Sequence, residues 1–118
     1  MAADIKKFDV WIADLNPRLG TEPGKTRPVV VVQTNLLNNI HPSTVICPIT
    51  TNIETGSEIL RVNLLRNEAG LKTRSDILVD QLRAIDNKRL VRRIGTISQT
   101  SKSKLKENLK IILDLDVI

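Results

Sequence analysis

The sequence predicts a mainly β fold closed by one C-terminal helix, a small, mostly antiparallel barrel or half-barrel. Short apolar or β-branched runs, each about four to eight residues long, recur from Asp9 to Ile85. Clusters of glycine, proline and polar residues separate them, as turns separate strands. Only the last stretch carries a helical stripe. Leu105, Leu109, Ile112 and Leu113 stand at i, i+4, i+7 and i+8, on one face of a helix. A chain of 118 residues with no internal repeat and no linker-like segment reads as one domain over 1–118, with a single modest core.

Each element has its own warrant. Asp9-Val-Trp-Ile-Ala-Asp-Leu15 alternates roughly polar and apolar, the pattern of a half-buried strand. Asn16 to Arg27 holds two glycines and two prolines and reads as a long irregular loop carrying Arg18, Lys25 and Arg27. Long loops in compact domains are often functional. Pro28-Val-Val-Val-Val-Gln33 reads as a strand buried on both faces, with proline tolerated at its first position. Pro28 also biases Arg27 toward an extended backbone. A polar loop, Thr34 to Ser43, leads to the strand Thr44–Thr50. Pro48 within it predicts an edge or a bulge, with Thr50 turned away from regular pairing. Ile59–Leu64 reads as a further strand and Asp76–Ile85 as one or two more. Leu65–Gly70 and Asn87–Val91 read as single helical turns. The basic run Arg89, Arg92 and Arg93 reads as a solvated turn. Ser98 or Thr100 can cap the terminal helix.

Composition narrows the partner. The formal net charge is +5 and the sequence pI is near 9.7, a balance that invites a polyanion such as nucleic acid. Base stacking on many aromatic side chains is excluded, because the chain holds one phenylalanine (Phe8), one tryptophan (Trp11) and no tyrosine. Contacts to RNA would come from backbone, hydroxyl, amide and arginine groups. The longest apolar run, Pro28 to Val32, is too short to span a bilayer, and the N-terminus lacks a secretory pattern. The single cysteine, Cys47, sits in an apolar segment and reads as a buried, inert thiol. The expected setting is the cytoplasm, with no membrane partner.

Absent motifs narrow the chemistry further. A lone histidine, His41, excludes a paired-histidine ribonuclease mechanism and reads as an exposed bystander. No Cys/His cluster has zinc spacing, and the carboxylates form no tight acidic cluster for magnesium. No metal or other cofactor is expected. Gly20-Thr-Glu-Pro-Gly24 lacks the Gly-Lys-Ser/Thr of a phosphate loop, and no nucleophile elbow occurs. Any catalysis must rest on arginine, hydroxyl and backbone groups.

Three segments carry a family resemblance. Asp9-Val-Trp-Ile-Ala-Asp-Leu-Asn-Pro17, Gly20-Thr-Glu22 and Gly24-Lys-Thr-Arg-Pro-Val-Val-Val-Val-Gln33 together resemble the start of MazF/PemK toxins. Ser43-Thr-Val-Ile-Cys-Pro-Ile-Thr-Thr51 resembles the family's second signature, which ends in Ile/Leu-Thr. Asp80-Gln-Leu-Arg-Ala-Ile-Asp86 resembles the third. The order and spacing run from about residue 7 to about residue 114. Two departures stand out: Phe8 where the family often has glycine, and Asp80 for the usual glutamate.

The resemblance implies an SH3-like barrel that forms a homodimer. It implies a toxin of a type II toxin–antitoxin system that cuts single-stranded RNA, often mRNA, at a short sequence. The implied products are a 2′,3′-cyclic phosphate and a 5′-hydroxyl. The implied partners are single-stranded RNA and a cognate antitoxin with an extended, largely acidic segment, and operator DNA only together with that antitoxin. Arg27 and Thr50 match the family's catalytic pair. Without the resemblance, Arg27 would read as a surface charge and Thr50 as a strand-end hydroxyl. Thr21 and Glu22 fall on the loop beside the site, Lys25 attracts phosphate, Thr51 follows the catalytic threonine, and Gln81 matches a glutamine able to read a base edge. The loop Asn52–Ile59 is of the kind that tunes the recognised sequence. Arginine stays protonated and is a poor base, so the acceptor of the 2′-OH proton stays unassigned. Rival readings are a gyrase-poisoning toxin of related fold and a non-catalytic nucleic-acid-binding barrel.

Overall fold

The computed structural model describes residues 4–17, 19–21 and 24–115. Among them lie β1 (Asp9–Asp14), β2 (Thr26–Val31), β3 (Ser43–Thr50), β4 (Arg61–Leu64), β5 (Ser75–Leu78), β6 (Arg83–Asp86), β7 (Leu90–Thr96) and α1 (Gln99–Ile112). All pairings are antiparallel, in the order β4-β5-β3-β2-β1-β7, with β6 also paired to β3. This matches the mainly β class with a terminal helix.

Alternation along β2 explains how one sheet supports two apolar layers. Val30 packs with Val10, Cys47, Ile49 and Ile77 beneath α1, whose Leu105 is fully buried. Val29 and Val31 point the other way, to Trp11, Leu15, Ile46 and Ile85. Successive side chains on a strand face opposite sides, so a continuous valine run requires cover on both. Burying one such side chain stabilises by about 1.5–3 kcal/mol. On α1, Leu105, Leu109 and Ile112 pack on the core as the stripe predicts, while Leu113 lies past the helix end and is exposed. Ser98 is the N-cap, and its hydroxyl accepts from the Ser101 N–H at 3.2 Å.

The structure corrects three expectations. β3 is central rather than an edge, and Thr50 stays in register opposite Asp76. The interruption falls on its neighbour: β5 and β6 lie along the same side of β3, separated by the 3-10 turn Val79–Gln81. That edge therefore offers no ladder for Pro48 to break. The second correction is β7. Leu90-Val-Arg-Arg-Ile-Gly-Thr96 is an edge strand on β1, with register shifts at Val10/Trp11 and Ile12/Ala13. Adjacent arginines and bulges hide the period of two, and edge strands often carry charge. Third, Arg93 is no solvated turn residue. Its Nε donates to the buried Asp9 carboxylate at 2.9 Å, and the Thr96 hydroxyl donates to the same carboxylate at 2.6 Å.

The sheet's seam is glycine-dependent. The 3-10 turn Glu68–Gly70 packs on β7, where a Cβ on Gly70 would strike the Ile94 carbonyl and one on Gly95 the Ala69 backbone. Close backbone approach of this kind needs glycine on both sides.

Candidate active site

Strand register places Arg27 and Thr50 at the same end of two neighbouring strands. β1 sets Ala13 opposite Arg27, and β3 with β5 sets Thr50 opposite Asp76. β2 and β3 pair as Val29 with Pro48, Val30 with Cys47 and Val31 with Ile46. The ladder ends at Val29 and Pro48, and Arg27 and Thr50 each lie two residues beyond that pair. Directly opposed residues share a face, so Ala13 and Arg27 form one short row and Thr50, Asp76 and Asn63 form another. One row inward, on the same face, Trp11, Val29 and Pro48 make a buried floor. The Trp11 indole N–H has no hydrogen-bond partner among the described residues.

Arg27 is half-buried, and its Nε donates to the Gly24 carbonyl at 2.9 Å, which fixes the plane of the guanidinium. The loop that supplies Gly24 is itself braced. Leu15 N–H donates to the Lys25 carbonyl, Lys25 N–H to the Asn16 side chain, and the Arg89 guanidinium to the carbonyls of Asp14 and Asn16. Arg89 is thus a brace, not a solvated charge.

Thr50 ends β3. Its hydroxyl oxygen accepts from the Asn52 N–H at 3.1 Å. Thr51 is exposed directly after it, and Lys25 and Thr21 are exposed on the β1–β2 connection. Glu22 lies outside the described residues, as does Arg18. Gln81 is half-buried at the end of the turn Val79–Gln81, on the opposite edge of β3 from Arg27. The strand order therefore brings Arg27 and Thr50 to the same end of β2 and β3 and keeps Gln81 across β3 from the arginine.

The sequence reading missed a buried polar cluster next to Thr50. Asp76, 2% exposed, accepts from Arg61 Nη1 at 3.1 Å, Asn63 Nδ2 at 3.1 Å and the Glu54 N–H at 3.2 Å. The signal was present: an aspartate inside the apolar run Ser75-Asp-Ile-Leu-Val79 must find partners if buried. Beside this cluster is a cavity of about 470 Å³, walled by the 53–58 loop, Arg61, Asn63, Arg74, Thr100 and Lys104. Cys47 lies in the core. Burial, aided by the charge of Asp80, pushes its thiol up to about 12, so it stays protonated and unreactive.

Among the described residues, no three His, Cys, Asp or Glu side chains converge as a metal would need, and no helix is long and apolar enough to cross a membrane. What this end of the sheet offers is a guanidinium held by the Gly24 carbonyl and a hydroxyl held by the Asn52 N–H, two groups suited to an anionic phosphoryl centre.

Known proteins resemble this chain over nearly its whole length. The family described as PemK-like, MazF-like toxin of type II toxin-antitoxin system matches residues 6–113. Endoribonuclease EndoA of Bacillus subtilis is 34% identical over 111 residues, covering 94% of this chain and 96% of that protein. MazF of Deinococcus radiodurans superposes with a TM-score of 0.82 at 20% identity, over 97% of this chain and 100% of that one. The Mycobacterium tuberculosis toxin MazF-mt6 superposes with a TM-score of 0.77 at 24% identity, over 92% of this chain and 99% of that one. A mycobacterial endoribonuclease solved with its cognate antitoxin gives a TM-score of 0.78 at 18% identity, over 97% and 99% of the two chains. With the match running nearly end to end, the chain belongs to the PemK/MazF family of toxins of type II toxin–antitoxin systems.

Proposed function

We propose that this chain is an endoribonuclease that cuts single-stranded RNA at a short sequence, without a metal, as the toxin of its pair. The observation that supports the reading is that Arg27 and Thr50 each lie two residues beyond the Val29–Pro48 pair, at one end of the β2–β3 ladder. The 2′-hydroxyl gives up its proton and its oxygen attacks the adjacent phosphorus, the P–O5′ bond breaks and the leaving 5′-oxygen takes up a proton, so that the products are a 2′,3′-cyclic phosphate and a 5′-hydroxyl. Because the nucleophile is tethered to its target, the enzyme's task is alignment and charge stabilisation. Arg27 binds the phosphoryl oxygens and stabilises the negative charge that grows on them. Thr50 donates its hydroxyl proton as a hydrogen bond to the same group. Lys25, Thr21, Glu22 and Thr51 contact the RNA around the cut, and Gln81 reads a base edge. The toxin acts as a homodimer, and an antitoxin with an acidic segment covers the RNA-binding face.

The test is cleavage of a long single-stranded RNA in excess EDTA by the wild type, Arg27→Ala and Thr50→Ala. The wild type is expected to yield discrete fragments ending in cyclic phosphate. Each variant is expected to lose about 100-fold or more, the usual cost of removing a charge-stabilising donor, with its melting temperature unchanged. Wild-type rates in either variant would overturn the residue assignment. Loss of activity in EDTA with rescue by magnesium would overturn the metal-free mechanism.

A further inference from the structure

The turn that follows Thr50 is held by buried charges on two other strands. Asn52 donates its N–H to the Thr50 hydroxyl oxygen at 3.1 Å, and its carbonyl accepts from Arg61 Nη1 at 2.7 Å. The same Nη1 donates to Asp76, and Asp76 also takes the Glu54 N–H. Arg61 Nη2 lies 3.5 Å from the Glu54 carboxylate. Residues on either side of Ile53 are thus tied to one ion pair, in a segment where Asn52, Glu54, Thr55, Gly56 and Glu58 are exposed and cannot hold themselves. A buried ion pair is weak as a source of stability, because desolvation offsets most of the attraction. What it does well is fix geometry.

We infer that Asp76 and Arg61 are positioning residues, which hold the Asn52 N–H against the Thr50 hydroxyl so that the hydroxyl proton is left for the scissile phosphate. The inference rests on the catalytic role proposed for Thr50. A threonine hydroxyl has one proton and two lone pairs. The Asn52 N–H occupies a lone pair and leaves the proton to point elsewhere. Orientation set before the substrate arrives costs nothing during the reaction, which is how a distant pair changes rate without touching RNA. Asn63, bonded to the other oxygen of Asp76, completes the carboxylate's partners.

The test uses the full chain and the double variant Arg61→Met/Asp76→Asn, which removes both charges and leaves neither buried alone. Arg61→Lys is measured beside it as the conservative control. An RNA with a 2′-deoxy substitution at the cut site reports binding without cleavage. The expected result for the double variant is a kcat lower by about tenfold or more, with KM, analogue affinity and melting temperature near wild type. Arg61→Lys, which keeps the charge beside Asp76, is expected to recover part of kcat. A double variant with wild-type kcat overturns the inference. A fall in kcat matched by lost analogue binding or a lower melting temperature also overturns it, and assigns the pair to RNA binding or to loop folding. Failure of the wild type itself to cut RNA overturns the endoribonuclease reading and takes this assignment with it.

Discussion

Phe8 holds a φ of 74°, in the left-handed region that L side chains rarely adopt. Its backbone is pinned there, with the N–H donating to the Val31 carbonyl and the carbonyl accepting from Ile97. Glycine would adopt this positive φ without steric cost. This chain keeps a ring instead, 8% exposed within the core beneath α1, with the ammonium groups of Lys7, Lys102 and Lys106 between 5.0 and 5.7 Å from its centroid. The strain is worth about 1–2 kcal/mol, and truncating a buried phenylalanine costs about 3–5 kcal/mol. Packing wins, so Phe8→Gly is expected to destabilise the fold by about 2 kcal/mol in urea titration. A more stable glycine variant would mean that the ring contributes less than the strain it imposes. At this scale the sequence was legible only in part. Arg27 and Thr50 were singled out through their signatures, and the burial of Cys47 was legible from its apolar neighbours. Asp9 and Asp76 were not found, because a buried carboxylate is recognised by partners that lie 84 and 15 residues away along the chain.

At the scale of elements, helix α1 is fastened by a residue outside it. Glu68, on the 3-10 turn that packs against β7, accepts from the Ser98 N–H at 3.0 Å, the Ser101 hydroxyl at 2.6 Å and the Leu65 N–H at 3.1 Å. A carboxylate at a helix N-terminus also meets the positive end of the dipole. Burial pushes the Glu68 acid upward, but the hydrogen bonds from Ser101, Ser98 and Leu65 outweigh it and hold the group below its ordinary value of 4.5. The unfolded chain therefore binds this proton more readily than the folded one. The stabilisation is whole above the ordinary value and is lost as pH falls through the lowered one. Glu68→Gln is expected to cost about 1 kcal/mol at neutral pH, the usual worth of a cap contact. The gap to wild type should close under acid conditions, as measured by thermal melts across pH. A gap that stays constant down to strongly acidic pH would show that shape, not charge, fastens the helix. The start of α1 was readable from Ser98, and its face from Leu105, Leu109 and Ile112. β7 was not readable, since an edge strand with two adjacent arginines and two register shifts has no clean period.

Across the whole molecule, the site is made by register rather than by any one segment, and that decides what sequence reasoning could reach. Each strand from β1 to β6 left its own local pattern, yet none of those patterns states that β2 lies beside β3, or that Arg27 and Thr50 come to the same end of that pair. The two residues were named through the family resemblance, and the strand order places them at one end of neighbouring strands. The same whole-molecule view fixes how RNA must be held. Phe8 and Trp11 are both buried, so neither offers a base a ring to stack on. Much of the affinity is then expected to come from charge, consistent with a net +5. Neutralising a phosphate on a single strand releases about 0.7 counterions, so a footprint of about three to four phosphates gives a log–log salt slope of about −2 to −3. Binding of the 2′-deoxy analogue, followed by fluorescence anisotropy across added potassium chloride, is expected to show that slope. Replacing Lys25 by alanine is expected to make it shallower by about one phosphate's share. A slope near zero would mean that neutral contacts hold the RNA, and the basic surface would then have to serve the acidic partner instead.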